Sequence, residues 1–586
     1  MRKALLLVAI VGLCVAAVLA VHLFKKDLQT VYEGTHYASH MQEHFYGDMA
    51  SADTVFTPGI KGAIVSHHLL VADHIAQTFA SMTNDQVKTV VIIGPDHFSR
   101  ASGKVSVSRY PYETPWGRVE PDTEVIDGLI SARLAEENEY VFEIEHSIGS
   151  LAPYVRYHFP NARLVPIVVD RSTSPEDAVK LGTYLAANLD EGALVIASVD
   201  FSHHLGTTAA DFHDAKSVET VRAFDFASLA RLEVDSPASL YAVLTYLEAK
   251  GAQRPVMFDT TNSARFLGIP DSDDVTSYLF ATFAEGPKES TGAVSMFAAG
   301  DLMLGRDVAK KMAQGTDLFE RFRGVEGNFL RGFDMFIANL EGPITNSTEC
   351  QKKELSFSFN PSVTPYLKKN GLTHVTLANN HSNDCFAAGI SDTKQNLTEQ
   401  GIRYVGGGTL AESTRTEKVA GKRIAILGID RTVQPVAPGL VYAHLRSLEE
   451  SHDYTIVEVH WGLEYELTES TDQRTLAHGM IDSGADVIIG HHPHVVQPVE
   501  SYAGKPIFYS LGNFVFDQFG KETNTGMAVG LVLADAAIST YLFPYTINSA
   551  HQPDLMEYKE AQAYCSTQDI RIEPFGKDAC ALRLAR

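Results

Sequence analysis

At 586 residues the chain can build more than one hydrophobic core, and with 45% apolar and 20% charged residues its composition is that of a globular protein. That excludes a wholly disordered chain. The 72 acidic residues outnumber 48 basic ones and leave a net charge of -24. Such a surface repels phosphate backbones, so no nucleic-acid partner is expected, while divalent cations remain compatible.

Met1-Arg2-Lys3 precedes a 21-residue uncharged, mostly apolar run, Ala4 to Phe24, closed by Lys25-Lys26. As a helix that run would be about 31 Å long, roughly the hydrocarbon thickness of a bilayer. It exceeds the usual signal-peptide core of about 7–15 residues. An uncleaved single-pass membrane anchor over residues 1–26 is therefore expected, with the bulk of the chain extracytoplasmic. Val18-Leu19-Ala20 offers an alternative cleavage site. A lipoprotein reading through Cys14 is weaker, because Leu13 is bulky where a small residue is needed. Residues 27–58 read as a tether.

A first block, 59–284, alternates strand-like and helix-like segments. Strands are predicted at Lys88–Ile93, Arg163–Val169 and Ala193–Ser198, and helices at Leu69–Ser81, Glu124–Glu137, Pro175–Asn188 and Pro237–Lys250. This pattern predicts α/β layers around a buried sheet. Residues 285–292 have linker composition. A second α/β block, 293–544, has predicted strands at Val294–Ala299, Met335–Ala338, His374–Leu377, Arg423–Leu427, Thr455–Val459, Val487–Ile489, Pro506–Ser510 and Met527–Leu533. Residues 545–586 read as a tail. Beyond Cys14 there are four cysteines, Cys350, Cys385, Cys565 and Cys580. They permit two disulfides, with Cys565–Cys580 closing a short loop, or four free thiols.

Polar clusters follow many strands of the second block, where open α/β sheets place their ligands. Asp301, Asn339, Glu341, Asn380, His381, His460, His491, His492 and His494 supply the carboxylate, amide and imidazole donors of a two-metal hydrolytic site. Each alone has an ordinary explanation as a cap or turn residue. Five strand ends bearing donor-type residues are harder to explain that way.

In that order, Gly300-Asp301-Leu302-Met303-Leu304-Gly305-Arg306, Ala338-Asn339-Leu340-Glu341-Gly342-Pro343, Leu377 to Asp384, His460-Trp461-Gly462, Gly490-His491-His492-Pro493-His494 and Ser510 to Phe516 resemble the CapA capsule-biosynthesis family. That family is associated with poly-γ-glutamate and related to calcineurin-like metallophosphatases. The resemblance implies an αββα sandwich. It also implies metal ligation by Asp301, Asn380, His460, His492 and His494, with His381 as acid or phosphate contact, while Glu341 is a ligand candidate from its own strand-end position. Two features depart from the superfamily pattern: Met303 replaces a histidine, and only Asn339 and Glu341 are available where a bridging aspartate is usual.

In the first block His67-His68, Gly94-Pro95-Asp96-His97, Glu113 to Gly117, Glu145-His146-Ser147 and Asp200-Phe201-Ser202-His203-His204 resemble the Memo family, AmmeMemoRadiSam system protein B. Its fold is similar to class III extradiol dioxygenases. The resemblance implies metal ligation by His67 and His97, with Glu145, His146, Asp200 and His203 in the pocket. A cysteine ligand of some members is absent; Ala264 falls near its place.

Together the two resemblances imply divalent metal of the manganese, iron or zinc class, an anionic polymer or small-molecule substrate, and polymer-synthase partners. The leading expectation is an extracytoplasmic, membrane-anchored metal-dependent hydrolase or transferase making, releasing or tethering an envelope polymer. The alternatives are a Memo-type metal-handling or oxidative enzyme with the second block accessory, and a non-catalytic polymer-binding surface protein.

Overall fold

The computed structural model describes residues 34–50, 57–269, 272–324, 327–433, 435–535, 537–571, 574–575 and 578–585. Among them no helix is long and apolar enough to cross a membrane. The run expected as an anchor lies outside the described residues. The expected single-pass anchor, and the location it implied, are therefore withdrawn.

The first domain is built on a nine-stranded sheet. At its centre lie β1 (Ile60–Val65), β2 (Thr89–Pro95), β3 (Arg163–Val169) and β4 (Leu194–Ser198), parallel in the order β1-β4-β2-β3, with β5 (Val275–Ala284) antiparallel beside β1. The continuous apolar run of β2 follows from burial on both faces. Val90 and Ile92 face Ile75, Ala76 and Phe79 of the helix Ala72–Met82. Val91 and Ile93 face the helices Pro175–Asn188 and Pro237–Ala249. The helix expected over Glu124–Glu137 instead ends at Ser131. Arg133 turns left-handed at φ 60°, and Glu136–Glu137 then pairs with Ser106–Val107 as a strand.

The second domain is an αββα sandwich. Its ten-stranded sheet contains the parallel strands β6 (Val294–Leu302), β7 (Met335–Leu340) and β8 (His374–Thr376). Its seven-stranded sheet contains β9 (Lys422–Asp430), β10 (Tyr454–His460) and β11 (Val487–His491), also parallel. The inner faces meet through Met296, Ala298, Ile337, Ile426, Ile456, Ile489 and Leu531. The helices Pro438–Glu449 and Thr471–Ile481 cover the seven-stranded sheet, while Val363–Lys369 and Phe386–Glu399 cover the other.

One element of the first domain joins that outer layer. Helix α1 (Thr207–Ala223) places Ala209, Ala210 and Phe212 in the same cluster as Phe297, Phe336 and Phe543 of the second domain. Below Phe212, Lys216 Nζ donates to Ala293 O and Asp334 Oδ2, each at 2.6 Å. Residues 285–292 are pinned at several points: Lys288 Nζ donates to Ala223 O (2.8 Å) and Thr291 Oγ1 to Asp535 Oδ1 (2.8 Å). The 545–586 segment adds the helix Tyr558–Thr567 and the strand Asp578–Ala585, which pairs with residues 537–541. Cys350 is bonded to Cys385 and Cys565 to Cys580.

Candidate functional site

Strand register brings the second domain's donors together. Asp301 pairs with Asn339 across β6 and β7, and His460 with His491 across β10 and β11. A Cβ on Gly300 would lie 1.9 Å from Gly512 O, so only glycine lets the 510–515 chain pass this close. That passage delivers Asn513 beside Asp301. His492 (φ 98°) and His494 (φ 58°) both adopt left-handed backbone. Each costs about 1–3 kcal/mol, a strain typical of functional loops. The result turns both rings back toward the strand ends.

Asp301 is the hub. Asn339 Nδ2 donates to its Oδ1 (2.8 Å), His491 Nδ1 lies 3.5 Å from the same oxygen, and His494 Nδ1 lies 3.0 Å from Oδ2. Asp301, Glu341 and His494 present ligand atoms mutually within 4.8 Å. His494 Nε2 is 3.6 Å from Glu341 Oε1. The His492 ring is centred 4.7 Å from that of His460, whose Nε2 donates to Asn380 Oδ1 (2.9 Å). His491 Nε2 donates to Glu458 Oε2 (2.8 Å).

Burial would raise the Asp301 carboxyl, but His491 and His494 override it and hold it well below the usual range. Burial, reinforced by Asp301, pushes Glu341 up to about 8. His494 is pushed down by burial and up by Glu341 and Asp301, ending at about 9. His460 is depressed by burial and by the neighbouring His492. Asp301 Oδ2, Glu341 Oε1 and His492 Nδ1 are buried without a well-formed hydrogen bond. Buried polar atoms demand compensation, and this mixture of carboxylate oxygen and imidazole nitrogen suits a divalent ion. The residues present fit one.

His381 stands in the adjoining turn. Its Nδ1 donates to Asp384 Oδ2 (2.8 Å) and its ring stacks on Phe357 at 4.1 Å. Lys353 Nζ (2.6 Å) and Phe357 N (2.7 Å) fix Asp384 in turn. Glu458 escaped the sequence reading, while Asn379, Asp384 and Asn513 lie inside its motifs but had no individual role assigned. Asp384 had a visible signal, its spacing of three residues from His381. Glu458 had none, because an acidic residue inside an apolar strand reveals its partner only in three dimensions.

The first domain has a second cleft of about 650 Å³, lined in part by His67, His97, His146, Asp200 and His203. The His97 and His146 rings stack at 4.2 Å, and His67 lies 5.0 Å from His97. Glu145 lies behind the cleft: its Oε1 accepts from His97 Nδ1 (2.8 Å) and its Oε2 from His97 N (2.8 Å). Two donor groups share His67, one with His97 and His146, the other with Asp200 and Asp235. Asp235 is absent from the sequence reading, since Glu233-Val234-Asp235-Ser236 looks like ordinary loop.

The sequence matches the family described as “Bacterial capsule synthesis protein PGA_cap” over residues 295–518 and “Memo-like protein” over 39–282. It is 36% identical over 293 residues to the PGA biosynthesis protein CapA of Bacillus subtilis (strain 168), covering 46% of this chain and 76% of that protein. It is 34% identical over 267 residues to the capsule biosynthesis protein CapA of Bacillus anthracis, covering 41% and 64%. A MEMO1 family protein of Methanosarcina mazei is 28% identical over 231 residues, 37% of this chain and 84% of that one. Through its second domain the chain thus belongs to the bacterial capsule synthesis PGA_cap family, here fused behind a Memo-like domain.

Proposed function

We propose that the second domain carries out divalent-metal-dependent hydrolysis or group transfer on an anionic capsule-type polymer, poly-γ-glutamate or a close chemical relative. It would act in the polymer's synthesis, release or tethering, alongside a polymer synthase. The names of the two Bacillus relatives support the polymer class. One observation carries the chemistry: five strand ends converge on a buried nest of donors in which Asp301 Oδ2, Glu341 Oε1 and His492 Nδ1 lack a well-formed hydrogen bond.

Asp301, Glu341, Asn380, His460, His492 and His494 would hold the metal, of the manganese, iron or zinc class. When bound, such an ion supplies Lewis acidity and an acidified water at neutral pH. Asn339 spans Asp301 and Glu341, with its Nδ2 at 2.8 and 3.4 Å from their oxygens, and so fixes the carboxylates relative to each other. Asn379 Nδ2 donates to Asn339 Oδ1 (2.9 Å) and locks that amide. With Nδ1 engaged by Asp384, His381 has Nε2 free to carry a proton to the leaving group.

The test uses the full chain, poly-γ-glutamate and added Mn(II) or Zn(II). Turnover should require the metal and vanish in His492→Ala. Equal metal content and equal turnover in parent and variant would end this reading. Asp384→Asn should lower kcat by about 100-fold with metal content unchanged, because it removes only the orientation of the acid.

The first-domain cleft supports a second reading, in which Memo-type metal handling or oxidation is the main activity and the second domain is accessory. Its carrying observation is the grouping of His67, His97 and His146. Comparing metal content and turnover in His97→Ala and His492→Ala distinguishes the two.

A further inference from the structure

The loop before the helix Pro237–Ala249 folds back on the end of β4. Asp235 N donates to Asp200 O (3.1 Å), and Asp200 N donates to Asp235 Oδ2 (3.0 Å). Val234 forms an isolated bridge with Phe201. This reciprocal lock fixes the Asp235 carboxylate against the floor of the histidine-lined cleft. Its Oδ2 lies 3.5 Å from His67 Nε2 and 3.8 Å from His97 Nε2, while its Oδ1 is buried without a partner.

Both imidazoles are already aimed. Glu145 takes His97 Nδ1 at 2.8 Å, and Ser198 Oγ engages His67 Nδ1 at 3.1 Å. Each ring therefore turns Nε2 toward Asp235, with its second nitrogen held from behind as metal-binding histidines are held. Donors about 2.1 Å from an ion and sharing one face of an octahedron stand about 3.0 Å apart. The His67–Asp235 separation of 3.5 Å and the His97–Asp235 separation of 3.8 Å need only a small inward shift of each side chain to reach that spacing. No cysteine occurs between residues 15 and 349, so the first domain offers no thiolate.

We propose that Asp235 is a metal ligand which, with His67 and His97, forms a two-histidine, one-carboxylate face for ferrous iron. The donor set is sulfur-free, which disfavours Cu(I), and one face of the ion would open onto the cleft, the arrangement associated with non-haem Fe(II). Asp200 Oδ2 also lies 3.5 Å from His67 Nε2, but of the two carboxylates only Asp235 contacts both rings, so Asp200 serves as the positioning residue. It accepts from Ser66 Oγ (2.5 Å) and clamps the Asp235 loop through its own backbone.

The experiment uses the full chain, loaded anaerobically with Fe(II). Asp235→Asn keeps the Asp200 N contact through its side-chain oxygen, so the metal-free melting temperature should match the parent. The variant should bind one Fe(II) fewer per chain, or bind it at least about tenfold more weakly, on the scale of perturbed metal sites. The electron paramagnetic resonance signal of its nitric oxide adduct should fall in step. Unchanged iron stoichiometry, affinity and signal would reduce Asp235 to a loop strap. Anomalous scattering at the iron edge of parent crystals is independent of the variant's folding. It should place iron within about 2.2 Å of an Asp235 oxygen; iron bound at His67 and His97 with Asp235 uncoordinated overturns the proposal. A preference for Cu(I) over Fe(II) at this cleft overturns it as well.

Discussion

Asp301→Asn should abolish metal binding by the second domain, with affinity falling by more than about 100-fold. Asparagine keeps the shape and still accepts from Asn339 Nδ2, now at 2.8 Å from Oδ1. What it removes is the negative charge that faces His491 at 3.5 Å and His494 at 3.0 Å. Glu341 does not replace that charge, because burial, the larger cause that holds its carboxyl above the usual range, persists when Asp301 is gone. Elemental analysis of parent and variant, purified in the same metal-replete buffer, checks the result. Turnover on the polymer should fall with metal content, while far-ultraviolet dichroism should not change. A variant that retains the parental metal count would show that the strand-end donors do not act as one site.

The second large effect concerns stability. Asp334→Ala should cost about 3–5 kcal/mol, the range for stripping one partner from a buried ion pair. Asp334 Oδ2 accepts from Lys216 Nζ (2.6 Å) and Ser295 N (2.8 Å), and Arg231 Nη2 lies 2.7 Å from Oδ1. Alanine would strand the Lys216 ammonium at the junction between domains, with only Ala293 O beside it. Lys216→Met should cost much less, since Asp334 keeps Arg231 and Ser295, and methionine fills similar volume with apolar surface. Urea denaturation separates the cases. The parent should unfold in one transition and Asp334→Ala in two, as the halves lose their mutual support. A loss below about 1 kcal/mol, the range of an exposed pair, would mean that solvent reaches this junction.

Much of this architecture is legible in the sequence because burial writes itself into composition. Val90 to Ile93 and Val487 to Ile489 are apolar without interruption, as central parallel strands must be. The donors of the second domain were visible because strand-end polar residues interrupt such runs. Three features were not legible. Arg133 ends a helix by adopting φ 60°, which no propensity of arginine announces. Asp235 joins the first cleft through backbone hydrogen bonds to Asp200, and backbone pairing leaves no mark on side-chain identity. Helix α1 buries Asp211, His213 and Lys216 as well as Phe212, so it shows no clean apolar stripe to betray that it packs on both sides. The Cys350–Cys385 pairing was one permitted option among several until the chain's course brought the two together.

The seam around α1 limits how this fusion can be taken apart. Phe212 lies 5.3 Å from Phe333, 5.6 Å from Tyr541 and 5.9 Å from Phe543 by ring centres. Cutting between residues 285 and 292 would bare that aromatic patch on both fragments at once, and each fragment would tend to self-associate. The halves are thus not interchangeable modules. A replacement for either one would need a matching socket for Phe212 and a buried acid for Lys216 before it could be grafted on.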